Sequence, residues 1–400
     1  MQLPWYQNST LWLWAIYALI VGTIVLRVNV EATNYTTPDS EYYMRAADNV
    51  VEGKGFVVAY MVYPFDDATP EKDLIIWPIG YPALISLPMY VLDLDALGSS
   101  KLINFLSLGL IFLLLQRMFG SYAWLPALYF FSYGRMEVFS YSWSEAPFLF
   151  AELLLCWITI KSLSDALDKT LWLKLTLGLI SLFLLRYAGL IFFFFSAGMM
   201  VYFAYRKEYK KSTHYFMALT IASVFVLAYF YRNYLLSGYY AGMDRVQPDA
   251  ERIGYFIWLL IRGLFNELML ARNYFFKGNL DLLFTGLFVI QVGLIFWLVK
   301  WRKLINRPTL LSRSSTILLA CSATYLIGIV ILRKIQPFDP FDFRILAPFS
   351  TPLFIALFSS LGLPENRAYY HKTVPWIVAF MGLCWVMNLP KQYLLELVLK

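Results

Sequence analysis

The sequence is poor in charged residues and in the side chains used for metal binding or nucleophilic chemistry. Charged residues make up 15% of its 400 residues, against about 25% in an average soluble domain. The two histidines, His214 and His371, each stand near lysines at the edge of an apolar segment. This scarcity excludes a histidine-rich zinc site and argues against a Ser-His-Asp triad. Three widely separated cysteines, Cys156, Cys321 and Cys384, stand in apolar runs, where we expect buried side chains rather than disulfides.

Apolar residues dominate the chain. Hydrophobic residues make up 60% of it and aromatic residues 19%, and the mean hydropathy is +0.59. Such a composition leaves too little polar surface to cover a water-soluble protein of this length. The sequence therefore predicts an integral membrane protein with membrane lipids as neighbours. The formal net charge of +7 is concentrated in certain loops, so it bears on membrane topology, and we expect no nucleic-acid partner.

About eleven segments are apolar enough to cross a membrane, which takes about 20 residues or somewhat fewer in a tight bundle. They are 11–28, 101–117, 122–133, 146–160, 171–187, 189–205, 215–235, 280–300, 316–332, 345–361 and 374–389. The first lacks a basic leader and a cleavage site, which favours an uncleaved helix over a signal peptide. Two further stretches, 81–92 and 253–270, contain prolines or charges, and we expect them to lie at the interface.

Loop charges orient these segments. Four loops (161–174, 206–213, 300–313 and 362–372), together with Arg117, hold fifteen basic and four acidic residues. Residues 29–100 hold three basic and eleven acidic residues. The positive-inside rule then predicts a cytoplasmic N-terminus and an external loop 29–100. A second external loop, 236–279, completes an all-α polytopic membrane protein with one transmembrane domain, residues 1–400, and no separate soluble domain.

The first external loop carries an acidic motif at a predicted helix start. Pro38 and Asp39 precede Tyr43, Ala47 and Val50 at helical spacing, which predicts a short helix along the membrane surface. On spacing alone, the simpler explanation of Asp39 is that it only caps that helix. Further along, residues 77–82 (WPIGYP) form a rigid aromatic turn suited to the lipid interface.

Arginines on the same predicted face stand out, because the positive-inside rule disfavours them there. Four arginines lie at or beyond the predicted outer ends of helices: Arg186, Arg232, Arg245 and Arg344. Glu145 lies at the predicted outer end of another helix. Snorkelling explains any one of these arginines. Several guanidinium groups converging with two carboxylates instead indicate a site for a phosphate-bearing ligand, since arginine binds phosphate bidentately and stays charged.

In order along the chain, these motifs resemble a known family. The pattern Asp39-x3-Tyr43-x3-Ala47 with Gly53-x-Gly55 is similar to the first loop of GT-C glycosyltransferases. The resemblance points to the protein O-mannosyltransferase and aminoarabinose-transferase group, particularly its bacterial dolichyl-phosphate-mannose mannosyltransferase-like members. It covers roughly residues 10–360 and continues through five further motifs. These are residues 77–82 (WPIGYP), 144–145 (SE), 185–187 (LRY) and 232–234 (RNY) with Gly238, followed by Arg344-x-Leu346-x-Pro348.

The resemblance implies a GT-C-like bundle with external juxtamembrane helices. It also implies an enzyme that transfers a hexose or pentose, with inversion, from a polyprenyl-phosphate donor at the external face. The implied catalytic residues are Asp39 as general base and Glu145 as a second acidic residue. The implied phosphate-binding residues are Arg344, Arg232, Arg186 and Arg245, and the implied substrate-binding residues are Glu41, Tyr43, Trp77 and Tyr81. The acceptor, whether glycan, lipid or protein, is not specified, and a bacterial inner membrane with a periplasmic active site is the expected location.

Two other functions stay open at the level of sequence. A transporter or flippase of a lipid-linked sugar would also use arginines and aromatic residues, although inverted repeats are not visible and the charges cluster at one face. A non-enzymatic scaffold would not need the acidic loop and the outward arginines together. We expect no cofactor, because a sugar phosphate already contains a good leaving group, although Asp39, Glu41, Glu145, Asp339 and Asp342 could supply oxygen ligands to a divalent metal.

Overall fold

The computed structural model describes residues 9–59, 71–164, 168–242, 251–275, 281–304, 312–335, 338–362, 366–391 and 393. These residues form fifteen α-helices and one antiparallel pair of short strands. The helices are α1 (Ser9–Val30), α2 (Pro38–Val51), α3 (Gly80–Leu92), α4 (Ala96–Phe119), α5 (Trp124–Ala127), α6 (Tyr133–Ser140), α7 (Glu145–Ser162), α8 (Leu171–Leu185), α9 (Ile191–Tyr205), α10 (Tyr209–Ser237), α11 (Ile253–Leu268), α12 (Leu282–Lys300), α13 (Arg313–Ile335), α14 (Phe343–Leu361) and α15 (Arg367–Met387). The strands are β1 (Val57–Val58) and β2 (Lys72–Asp73).

The prediction of an all-α polytopic membrane protein is confirmed. Seven helical segments of the described chain are long and apolar enough to cross a membrane, and the bent pair α6–α7, with 115° between its halves, raises the number to eight. The remaining predicted spans are shorter or more polar. Residues 171–187, for example, form the 15-residue α8, and residues 374–389 overlap the last part of α15.

One predicted span, residues 122–133, is not a continuous helix. The four-residue α5 is flanked by 3₁₀ turns at Gly120–Tyr122 and Leu128–Phe131. Residues 125–131 are all buried. Irregular backbone inside a membrane protein is tolerated where protein rather than lipid surrounds it. The apolar composition that predicted a span here instead reflects burial inside the bundle.

Helix α2 begins where its sequence predicted, but a different residue caps it. Thr37 is the N-cap, its hydroxyl accepting from the Ser40 N–H at 3.4 Å, and the Ser40 hydroxyl accepts from the Thr37 N–H at 3.1 Å. This reciprocal capping box satisfies the helix start without Asp39. The capping explanation for Asp39 is therefore unnecessary, and its carboxylate is available for another partner.

The two ambiguous stretches form helices too short to cross a bilayer. Helix α3 has 13 residues and α11 has 16. Along α11, Phe256, Leu259, Gly263 and Glu267 are buried, whereas most of the large apolar residues on its other side are exposed. A helix with one face on the bundle and an apolar opposite face fits a position at the membrane interface.

The helix ends sort onto two faces of the bundle. The ends of α7, α8 and α10 meet at one face, where Lys211 Nζ donates to the Ser164 carbonyl at 2.5 Å and the Trp172 N–H donates to His214 Nδ1 at 3.3 Å. Two of the segments predicted to be basic and cytoplasmic, 161–174 and 206–213, begin and end at this face. The opposite ends of the same helices meet α2 and the start of α14, and we call this side the cluster face.

A buried ion pair joins three helices near the cluster face. Arg135 Nη2 on α6 lies 2.7 Å from Glu267 Oε1 on α11, and both side chains are almost fully buried. Arg135 also donates to the Ala347 carbonyl and the Thr351 hydroxyl of α14. Since an unpaired charge is costly in such surroundings, this pair fixes α6, α11 and α14 relative to one another.

Candidate functional site

Four charged side chains from four helix ends meet at the cluster face. Arg344, in the first turn of α14, places Nη1 2.5 Å from Asp39 Oδ2 on α2. Its Nε donates to Glu145 Oε1, the same oxygen that accepts from Arg186 Nη1 at the end of α8. We call Asp39, Glu145, Arg186 and Arg344 the charge cluster. The predicted convergence of arginines with two carboxylates is present for these four residues.

The two carboxylates differ sharply in exposure. The Glu145 side chain is 1% exposed and the Asp39 side chain 29%. Glu145 is therefore enclosed by the arginines that it accepts from, whereas Asp39 can be reached from the open side. Both arginines keep part of their surface accessible, 15% for Arg344 and 20% for Arg186. This arrangement suits Glu145 to hold the guanidinium groups and Asp39 to face a ligand.

The guanidinium group of Arg344 is only partly used. Its Nε and Nη1 donate to Glu145 and Asp39, and Nη2 has no partner among the described contacts. The Trp143 ring lies beneath it, 4.7 Å from Cζ, and Trp143 Nε1 donates to the Thr37 hydroxyl at 2.8 Å. A cation held over an aromatic face and anchored through Nε presents its Nη edge in a fixed direction.

Glu145 and Arg344 both lie at the start of a helix, where the helix dipole acts on their charges in opposite ways. Glu145 starts α7, where a carboxylate is favoured by the helix dipole, whereas Arg344 in the first turn of α14 is disfavoured by it. The two carboxylates offset this for Arg344. Asp342 caps α14 by accepting from the Ile345 N–H at 2.9 Å, and burial raises the pKa of the Asp342 carboxyl.

The predicted aromatic residues pack together between α2 and α3. The Tyr43 ring lies 5.1 Å from the Tyr81 ring and 5.5 Å from the Trp77 ring, and Tyr42 also packs on Trp77. Tyr43 and Tyr81 are buried, and burial raises the pKa of the Tyr43 hydroxyl. Trp77 is half-buried. In this arrangement Tyr43 and Tyr81 fix the position of α2, and Trp77 is the member that still presents surface.

Two other predicted site residues, Arg232 and Glu41, do not take part in the charge cluster. Arg232 Nη2 is 3.5 Å from Asp73 Oδ1, and its side chain is 41% exposed. The neighbouring Asn233 donates to the Tyr187 hydroxyl at 3.2 Å, which places Arg232 on the cluster face but in a separate ion pair. Glu41 is half-buried and forms no ion pair with a described residue. Arg245 lies outside the described residues.

The described residues bring no three His, Cys, Asp or Glu side chains together in a way that would hold a metal ion. Asp39 and Glu145 are bridged by Arg344, so their oxygens face a guanidinium group. The chemistry that this arrangement supports directly is the binding of an anion next to a carboxylate.

Two contributors to the site were not assigned a role from the sequence. Trp143, beneath Arg344, stands two residues before Glu145. The Thr37 hydroxyl accepts a hydrogen bond from the Trp143 indole N–H. The sequence contained one signal for the role of Trp143, namely an aromatic residue close to a carboxylate at a predicted helix end. The role of Thr37 depends on the tertiary approach of residues 106 positions apart.

No protein-family model and no curated protein matches the chain. A search of solved structures finds the crystal structure of ArnT from Cupriavidus metallidurans in the apo state, with a TM-score of 0.50 and 11% sequence identity. The match covers 84% of this chain. The chain has the fold of ArnT. The resemblance to the GT-C group is thus confirmed at the level of the fold, and the chain spans 57% of the length of that ArnT chain.

Proposed function

We propose that the protein is an inverting glycosyltransferase that moves a hexose or pentose from a polyprenyl-phosphate donor to an acceptor at the external membrane face. The observation that carries the proposal is the bridge that Arg344 forms between an accessible carboxylate, Asp39, and an enclosed one, Glu145. An anion-binding guanidinium group beside an exposed base is what transfer from a sugar phosphate requires. The ArnT-like fold supports the same class of reaction.

The chemistry needs one base and one group that stabilises developing negative charge. Asp39 accepts the proton of the acceptor hydroxyl while the oxygen of that hydroxyl attacks the anomeric carbon. The bond between that carbon and the phosphate oxygen breaks, and its electron pair stays on the phosphate, which leaves as polyprenyl phosphate. Attack on the face opposite the leaving group inverts the anomeric configuration. Arg344 and Arg186 stabilise the charge that grows on the phosphate.

The pairing of Asp39 with Arg344 indicates how donor binding prepares this step. A phosphate that binds the Nη1–Nη2 edge of Arg344 takes the place of Asp39 on Nη1 and leaves the Nε contact with Glu145 intact. Asp39 loses its cationic partner, and its carboxylate oxygen is then free to accept a hydrogen bond from the acceptor hydroxyl. The base is thereby made available only when a donor is present.

Asymmetry between the loops supports the orientation of the proposed enzyme. Asp39 lies at one end of the helices, and the basic residues Lys169 and Lys211 lie at the other. This arrangement fits a cytoplasmic N-terminus and an external cluster face. We assign the enzyme to a bacterial inner membrane with a periplasmic active site. The polyprenyl tail then lies against the apolar spans, where burial contributes about 0.8 kcal/mol per CH₂.

The decisive experiment is donor turnover by the purified protein in lipid. A panel of polyprenyl-phosphate sugars is incubated with the wild type and with Asp39→Asn, and products are identified by mass spectrometry. Consumption of one donor with release of polyprenyl phosphate, by the wild type alone, supports the proposal and identifies the sugar. Movement of intact donor across proteoliposomes, without cleavage in the presence of acceptor extracts, would replace it with a transporter.

A further inference from the structure

A cavity opens at the cluster face, separate from the charge cluster. It has a volume of about 410 Å³, and its lining includes Arg27, Tyr35, Tyr133, Arg272, Asn388 and Lys391. No member of the charge cluster lines it. We call it the side cavity. Its volume falls within the range of about 300–1,000 Å³ that is typical of small-ligand sites.

Three cationic side chains, Arg27, Arg272 and Lys391, contribute to its polar lining. Arg27 is paired with Glu137 and Arg272 lies 2.8 Å from Asp281, whereas Lys391 Nζ contacts only the Met387 sulfur at 3.3 Å among the described contacts. Arg27 is 94% buried, and its Nη1 has no hydrogen-bond partner among the described residues. Buried donors are normally satisfied. Among the described residues, the cavity therefore offers an ammonium group with no carboxylate partner, and one guanidinium nitrogen of Arg27 in its wall has no acceptor.

Aromatic residues and a carboxylate complete the lining. Tyr35 and Tyr133 line the side cavity, and so does Glu31. Tyr35 and the preceding Asn34 have positive φ angles of 54° and 48°, a conformation that is costly for a bulky residue and is concentrated at functional positions. The Lys101 ammonium and the Ser142 N–H both donate to the Tyr35 carbonyl, at 3.2 and 3.1 Å, and hold this conformation.

A short series of aromatic rings connects the side cavity to the charge cluster. The Tyr35 ring lies 5.0 Å from the Tyr141 ring, which stacks on Trp143 at 4.0 Å. Trp143 in turn lies beneath Arg344. A ligand in the side cavity therefore sits beside the proposed donor site and on the same face, where an acceptor has to bind.

From this geometry we propose that the side cavity binds the acceptor and that the acceptor is an acidic saccharide, a sugar ring bearing a carboxylate or a phosphate. This inference rests on the proposed function. Lys391 pairs with the acidic group, the tyrosine rings contact the sugar ring, and Glu31 accepts from its hydroxyl groups. The acidic sugar is either free or the headgroup of a lipid, since the site faces a membrane surface.

Binding to the purified protein tests the proposal without any donor. Calorimetric titrations compare glucuronate and glucose 6-phosphate with glucose, and nanodiscs compare a glucuronosyl with a glucosyl diacylglycerol. We expect the acidic member to bind about tenfold tighter or more in at least one of the two formats. A preference with soluble sugars indicates a free acceptor, and one confined to nanodiscs indicates a lipid headgroup. Equal affinity for acidic and neutral members in both formats would overturn the proposal.

Lys391→Glu and Lys54→Glu form a matched pair for this test. Lys54 is also an accessible lysine of the cluster face, but it pairs with Glu52 outside the side cavity. We expect Lys391→Glu to abolish the preference for the acidic sugar and Lys54→Glu to keep it. An unchanged preference in Lys391→Glu would remove the side cavity as the binding site. Because no donor takes part, failure here leaves the turnover test of the proposed function unaffected.

Discussion

Arg344 Nη1 lies 2.5 Å from Asp39 Oδ2, so the proposed phosphate-binding group and the proposed base are partners of each other before a donor arrives. The charge cluster as a whole pairs two cations with two carboxylates. An incoming phosphate cannot use the Nη edge of Arg344 unless Asp39 gives way. The relationship thus couples recognition of the donor to release of the base.

Replacing Asp39 by Asn removes the base and should leave the fold intact. Thr37 and Ser40 already cap α2, so we expect the unfolding temperature to change little. Transfer should fall by about 10²–10⁴-fold, the usual contribution of a general base. Release of polyprenyl phosphate measures the activity. Glu52→Gln, at the other end of α2, where the exposed carboxylate pairs with Lys54, should retain most of it. Near-normal turnover by Asp39→Asn would exclude Asp39 as the base.

Of the three described arginines with predicted phosphate roles, Arg344 and Arg232 should respond differently to replacement by lysine. Arg344→Lys loses the planar guanidinium fork that contacts Glu145 and presents two N–H groups to phosphate at once. We expect kcat/KM for the donor to fall by about 10-fold or more, as for loss of a charged hydrogen bond. Arg232→Lys, whose ion pair with Asp73 is exposed, should change it about twofold or less. Similar losses in both variants would contradict the assignment of Arg344.

The features that the sequence predicted well are those encoded by local composition. Long apolar runs identified most of the spans, and the Pro38 motif located α2 to within one residue. Residues 122–133 show the limit of this reasoning, because an apolar run buried inside a bundle has the same composition as one that faces lipid.

The sequence predicted which residues form the site better than it predicted which of them contact each other. The positive-inside rule disfavours arginines on the predicted external face, which is why Arg186 and Arg344 could be singled out. Their partners depend on tertiary contacts across as many as 305 positions, as between Asp39 and Arg344. Local pattern therefore could not indicate that Glu145 is enclosed, or that Arg232 pairs with Asp73.

Glu145 should act on stability and on the positions of the arginines rather than on the substrate directly. Glu145→Ala leaves the guanidinium groups of Arg186 and Arg344 without their shared acceptor, and loss of one partner from a buried pair costs about 3–5 kcal/mol. We expect a clear drop in the unfolding temperature in detergent. Adding Arg186→Met to Glu145→Ala should recover part of that loss, because it removes one of the two unpaired cations. Additive losses would show that the contact between Arg186 and Glu145 contributes little.

Cysteine labelling in intact cells should decide the orientation of the bundle. Lys54 follows α2 and is 51% exposed, whereas Lys169 is exposed between α7 and α8 at the opposite face. The three native cysteines are buried, so their background reactivity should be low. We expect Lys54→Cys to react with a membrane-impermeant thiol reagent from outside and Lys169→Cys to react only after permeabilisation. The reverse pattern would place the charge cluster in the cytoplasm, and the donor would then have to be presented from the cytoplasmic leaflet.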